Sequence, residues 1–111
     1  MTDYSFGDVV LVGFPHTDYY RVSKRPALVI YDGEDQDLLL ARITSQKYLS
    51  EADYKLTDWQ KSGLITESYA RLGKLATIEK RYVIRKLGQL LVHEQASVKL
   101  ILQKIICQNK N

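Results

Sequence analysis

The segment Val9-Val10-Leu11-Val12-Gly13-Phe14 is an unbroken apolar run rich in β-branched residues. It is too short for a helix and reads as a strand covered on both faces or closing a small barrel. Pro15 ends it. Two more such runs follow, Ala27-Leu28-Val29-Ile30-Tyr31 and Leu38-Leu39-Leu40-Ala41-Arg42-Ile43. Asp32-Gly33-Glu34-Asp35-Gln36-Asp37 between them has hairpin-loop composition and is expected to be a solvated turn, since its spacing is not that of a calcium loop. Tyr54-Lys55-Leu56 alternates briefly. Residues Ser68 to Ile78 read as a strand with a bulge at Gly73, and Tyr82 to Leu87 as another. Thr57-Asp58-Trp59-Gln60 fits a capping box, with Gly63 ending that turn.

Helical periodicity appears once, at the end. Val98, Ile101, Leu102, Ile105 and Ile106 fall at i, i+3, i+4, i+7 and i+8. That stripe is expected to seal one side of a sheet. Short strands plus one terminal helix predict a mainly β protein, a small twisted barrel with a C-terminal α-helix, because closure removes exposed edges. The 111 residues carry no repeat, low-complexity tract or Pro/Gly-rich linker, and residues 1–111 are read as one domain.

Composition narrows the function classes. No apolar run reaches the roughly 18–20 residues of a membrane span, and Met1-Thr2-Asp3-Tyr4 is unlike a secretory leader. The single Cys107 suits a reducing cytoplasm and is expected to pack inertly on the apolar side of the helix or its margin. The net charge of +3 conceals a gradient, −4 over residues 1–60 and +7 over residues 61–111. The basic half fits either a polyanion-binding surface or an ordinary solvated helix and loops.

Nucleotide cofactors have no recognisable cradle, since neither a phosphate-binding P-loop nor a dinucleotide fingerprint occurs. The only histidines, His16 and His93, lie far apart in sequence, so no metal centre is expected. More informative are Lys24-Arg25-Pro26 and Ile43-Thr44-Ser45-Gln46. If Tyr31 and Leu38 face each other across the hairpin, unbroken antiparallel pairing brings Arg25 opposite Thr44. Arg offers a fork of donors that stays charged, matched to phosphate oxygens, and Thr44 and Ser45 add hydroxyls. The group suits charge stabilisation at phosphorus. A surface arginine packing its stem on the sheet, with Thr44 at a strand end, is the alternative.

Alternation puts Tyr69 and Arg71 on one face, either as a base-stacking and phosphate-holding pair or as a plain cation–aromatic contact. His16 is a proton carrier near neutral pH or a simple loop residue. Tyr19, Tyr20 and Arg21 fit an RNA-contacting lip or a protein-binding surface.

Gly7-Asp8-Val9-Val10-Leu11-Val12 with Phe14-Pro15, then Lys24-Arg25-Pro26-Ala27-Leu28-Val29-Ile30, then Ile43-Thr44-Ser45-Gln46, resembles the MazF/PemK family of type II toxin–antitoxin toxins. Leu56-Thr57-Asp58-Trp59 with Gly63-Leu64, Arg71 with Lys74-Leu75, and Ile84-Arg85-Lys86-Leu87-Gly88 extend the resemblance over nearly the whole chain. It implies an SH3-like barrel with a terminal helix, a homodimer, and a metal-independent, cofactor-free, cytoplasmic endoribonuclease. Such enzymes cut single-stranded RNA when the ribose 2′-OH attacks its own phosphate. A small acidic antitoxin protein is the implied partner, with no membrane involved. The family's arginine before proline falls on Arg25 and its strand-end threonine on Thr44. Its second arginine falls on Arg71 and its loop histidine near His16. Arg71, Lys74, Tyr19, Tyr20 and Arg21 would line the RNA groove, with Ser45 supporting.

Two departures stand out. Position 73 is glycine where the PemK-type branch places an aspartate, which leaves Arg71 either a catalytic or an RNA-binding residue and favours binding. Asp18-Tyr19-Tyr20-Arg21-Val22-Ser23 replaces the Gly-x-Glu-Gln-x-Gly loop of many members. The competing functions are a non-catalytic gyrase-binding toxin of the same fold, which would need a tryptophan near the C-terminus where this chain has only Trp59, and an inactive RNA- or antitoxin-binding module.

Overall fold

The computed structural model describes residues 3–15, 22–47 and 50–107. His16, Tyr19, Tyr20 and Arg21, four of the residues singled out from sequence, lie outside the described residues. Among the described residues, six strands form one antiparallel sheet: β1 (Asp8–Pro15), β2 (Val22–Asp32), β3 (Asp37–Thr44), β4 (Asp53–Lys55), β5 (Tyr69–Glu79) and β6 (Val83–Gln89). A 3-10 turn at Lys80–Tyr82 joins β5 to β6, and α1 (Val92–Ile106) follows. The spatial order is β4-β5-β3-β2-β1-β6.

The expected closure does not occur, and the sheet stays open, with β4 and β6 at its edges. Both edges are blunted by other means. β4 is three residues long, and β6 carries Arg85 and Lys86, so neither offers a long neutral template for another strand.

Alternation sorts the apolar residues onto two faces. Val9, Leu28, Ala41, Ile43, Ala70 and Leu72 fill one, and Val98, Ile101 and Leu102 of α1 pack on it. Val10, Val12, Ala27, Val29, Leu38 and Leu40 fill the other, under Tyr4, Tyr82 and Val83. The continuous hydrophobic reading of β1 follows directly, because both of its faces are buried. Each wholly buried Leu or Val contributes about 1.5–3 kcal/mol.

The helix seals less than its periodicity implies. Val98 is fully buried, but Ile105 is about one-third exposed and Ile106 is 78% exposed. Cys107, expected to be packed, is exposed as the C-terminal cap. Ile105 instead borders an open hollow with Glu51, Ala52 and Ile101, so the last turn of α1 is only partly covered among the described residues.

The segment after β4 differs from the capping-box expectation. It is a series of turns, with Ser62 N–H donating to the Asp58 and Trp59 carbonyls and Leu64 N–H to Trp59. Thr57 Oγ1 donates to Glu94 Oε1 of α1 at 3.1 Å, which ties this segment to the helix. Gly63 does end this segment. Its φ is +86°, and a Cβ there would collide with the Leu87 carbonyl.

The hairpin turn has its own ties. Asp32 accepts from the backbone N–H groups of Tyr4 and Glu34 and pairs with Lys80 at 2.8 Å. It is therefore more than part of a solvated loop.

Candidate functional site

Register decides which side chains meet. At the hairpin end, Tyr31 faces Leu39 and Asp32 faces Leu38, one step away from the expected pairing. An irregularity between Val29 and Tyr31 absorbs the extra residue. Beyond it the expected register returns, with Val29 opposite Leu40, Leu28 opposite Ala41 and Ala27 opposite Arg42. Directly opposed residues share a face, and side chains alternate along each strand. Arg25 and Ala27 therefore lie on the same face as Arg42 and Thr44. The ladder between β2 and β3 ends at Ala27 and Arg42, so Arg25 pairs instead with Val12 of β1.

Past the last rung the strands splay, and the space between them is concave. Lys24, Arg25, Arg42, Thr44 and Ser45 line a concavity of about 450 Å³, bounded on its far side by Leu64, Ile65, Thr66 and Ser68. Arg25 and Arg42 also border a neighbouring hollow of about 320 Å³, with Lys74 on its rim and Leu40, Ala76 and Ile78 as apolar floor. Among the described residues lining these two hollows are four cations and no carboxylate. Such a patch concentrates anions, and its apolar floor suits a flat ring beside a phosphate.

The reactive groups are held locally. Arg25 is exposed, and its Nη1 donates to the Lys24 carbonyl at 3.0 Å, leaving the rest of its fork facing out. Pro26 fixes the extended backbone that sets this orientation. Thr44 Oγ1 accepts from the Gln46 N–H at 3.1 Å, a turn that anchors its oxygen and leaves its O–H available as a donor. Ser45 is exposed at the strand end.

Arg71 is arranged differently. A three-residue irregularity in β5 falls where the bulge at Gly73 is expected, shifting pairing from Ala41–Leu75 to Arg42–Arg71. Arg71 thus lies on the Arg42 face, but its Nε donates to Asp53 Oδ1 at 3.0 Å. Asp53 is nearly sealed from solvent and Arg71 mostly so. Burial pushes the Asp53 carboxyl up. Hydrogen bonds from Ser50 and Arg71 outweigh it and leave the group below the ordinary carboxylate value. Tyr69 does share Arg71's face, as alternation requires, yet it is 5% exposed and donates to Glu67 at 3.1 Å. Its ring is therefore not open to a stacked base.

Arg42 was not among the residues picked from sequence. Its signal was present, since it stands two positions before Thr44 and so on the same face. Trp59 packs against the core cluster under α1 and does not stand at the C-terminus.

The chain matches the family model of the PemK-like, MazF-like toxin of type II toxin–antitoxin systems over residues 5–106. No curated protein sequence matches it. Among solved structures it resembles an endoribonuclease in complex with its cognate antitoxin from a mycobacterial species, at 14% identity and a TM-score of 0.75, covering 98% of this chain and 100% of that one. It also resembles the Mycobacterium tuberculosis toxin MazF-mt6, at 15% identity and a TM-score of 0.73, covering 93% and 99%. A Deinococcus radiodurans MazE–MazF structure aligns at 17% identity and a TM-score of 0.75, covering 96% and 100%. At these identities the structures establish a shared fold, whereas the family match spans nearly every residue. The chain belongs to the PemK-like, MazF-like toxin family of type II toxin–antitoxin systems.

Proposed function

We propose that this toxin is a metal-independent endoribonuclease that cleaves single-stranded RNA. The observation that carries this reading is the shared concavity of Arg25 and Thr44, rimmed by further cations. In the reaction the ribose 2′-oxygen forms a bond to the adjacent phosphorus, and the bond from phosphorus to the leaving 5′-oxygen breaks. The 2′-OH proton is given up, and the departing oxygen takes one. The products are a 2′,3′-cyclic phosphate and a free 5′-OH.

The phosphorane between them carries more charge on its equatorial oxygens than the ground-state diester. A guanidinium aimed at those oxygens binds the transition state more strongly than the substrate. Arg25 fills that role, with Thr44 donating its hydroxyl to a phosphate oxygen and Ser45 supporting. Lys24, Arg42 and Lys74 hold neighbouring phosphates. Arg71, committed to Asp53, shapes the strand rather than the reacting phosphate. His16 is carried forward from the family resemblance as the candidate proton carrier.

The partners proposed are an acidic antitoxin and a second copy of the chain. The antitoxin reading is supported by the four cations, without a carboxylate, among the described residues lining the two hollows and by solved relatives described in complex with antitoxin. No helix among the described residues is long and apolar enough to cross a membrane. Gyrase binding without catalysis has less support, because Trp59 is committed to core packing.

The test is mapping of new 5′-hydroxyl ends on a long single-stranded RNA in EDTA. Discrete cuts at a recurring short sequence support the reading. Tight RNA binding without new ends supports the non-catalytic alternative.

A further inference from the structure

Away from the cationic face, the turn after β4 meets the first turn of α1. Asp58, His93 and Glu94 each present one ligand atom there, all within 4.8 Å of one another. His93 Nε2 lies 3.4 Å from Asp58 Oδ2. Sequence spacing hides this group, because the aspartate comes from a turn 35 positions before the histidine.

Glu94 is the informative member. It is 0% exposed at the start of a helix, where glutamate is usually solvated. Its Oε1 accepts from Tyr54 Oη at 2.9 Å, Thr57 N–H at 2.8 Å and Thr57 Oγ1 at 3.1 Å. Its Oε2 is buried and has no hydrogen-bond donor among the described residues. A sealed carboxylate oxygen without a partner is costly, and native structures supply one as a donor, a water or a cation.

We propose that Asp58, His93 and Glu94 form a binding site for a divalent transition-metal cation of the zinc class, which staples the turn after β4 to α1. One imidazole nitrogen and two carboxylate oxygens form the kind of donor set zinc takes, with water completing the coordination. The imidazole favours zinc over magnesium or calcium, which prefer oxygen alone. Tyr54 and Thr57 orient the Glu94 carboxylate from behind, as outer partners do in metal sites. The positive end of α1 opposes a cation, and the two carboxylates offset it. None of the three residues borders the Arg25–Thr44 hollow, so the site is independent of the proposed RNA chemistry.

The test uses the full chain carrying Cys107→Ser, because the exposed thiol is itself a soft zinc ligand. After EDTA treatment and removal of the chelator, zinc chloride is titrated by calorimetry, and melting is followed with and without zinc. Cobalt chloride provides a visible-absorption probe of coordination. One equivalent of zinc should bind and raise the melting temperature. His93→Ala, which alters an exposed side chain, should weaken binding about tenfold or more and abolish the thermal shift. Glu94→Gln should do the same if it folds, and His93→Ala decides the matter if it does not. Absence of zinc binding, or equal affinity in the parent and His93→Ala, overturns the proposal.

Discussion

Arg71 on β5 and Asp53 on β4 form an ion pair at 3.0 Å that fastens the shortest strand of the sheet to its neighbour. The pair is mostly shielded from water, and Ser50 completes the carboxylate's shell through its backbone N–H and its hydroxyl, at 3.2 and 2.7 Å. Where the PemK-type pattern supplies an aspartate at position 73, this chain has glycine there and binds its arginine to a carboxylate eighteen positions earlier.

Asp53→Ala should therefore destabilise the fold by about 2 kcal/mol, because it removes a charged hydrogen-bond partner from a mostly buried guanidinium. Urea unfolding at neutral pH measures the loss. Replacing both residues, Asp53→Ala with Arg71→Met, should cost less than the two single changes added together.

Stability should also fall in acid. Asp32 is held below the ordinary carboxylate value chiefly by the hydrogen bond from Lys80, which together with the Tyr4 and Glu34 backbone N–H groups outweighs its burial. Asp53 is lowered as well. Between the folded values and the unfolded value near 3.8, the unfolded chain binds more protons. The stabilisation is fully present above that unfolded value and is lost as pH falls through the folded ones. Urea midpoints from pH 7 to pH 2 should decline most below about pH 4, and less steeply in Asp53→Asn.

Gly63→Ala should cost roughly 2 kcal/mol or more, since φ is positive there and the new Cβ meets the Leu87 carbonyl. Thermal melting would detect the change. A Gly63→Ala protein as stable as the parent would mean that the turn is not packed against β6 as described.

Arg42→Ala should weaken RNA binding uniformly across sequences and lower the slope of log affinity against log salt by about 1, the signature of one lost phosphate contact. Fluorescence anisotropy with short labelled RNAs at several salt concentrations reads this out. The single-turnover cleavage rate at saturating RNA should change little.

Much of the fold was legible in the chain because burial leaves a period. Three continuous apolar runs became β1, β2 and β3, and the terminal stripe became α1. The hairpin register was legible from Val29 to Ala27, because the irregularity after Val29 cancels the slip at the turn, but the ladder ends there and Arg25 pairs with Val12 rather than Thr44. The Asp53–Arg71 pair and the Glu94 cluster were not legible. They join residues far apart in sequence, and such pairing is set by strand order rather than by local pattern. Closure failed as an expectation because edges can be protected by shortness and charge as well as by pairing.

The central claim rests on Arg25. Single-turnover cleavage of a mapped RNA site in EDTA should fall about 100-fold or more in Arg25→Ala, with the circular-dichroism spectrum and melting temperature unchanged. Cleavage by Arg25→Ala at the parental rate would contradict the account.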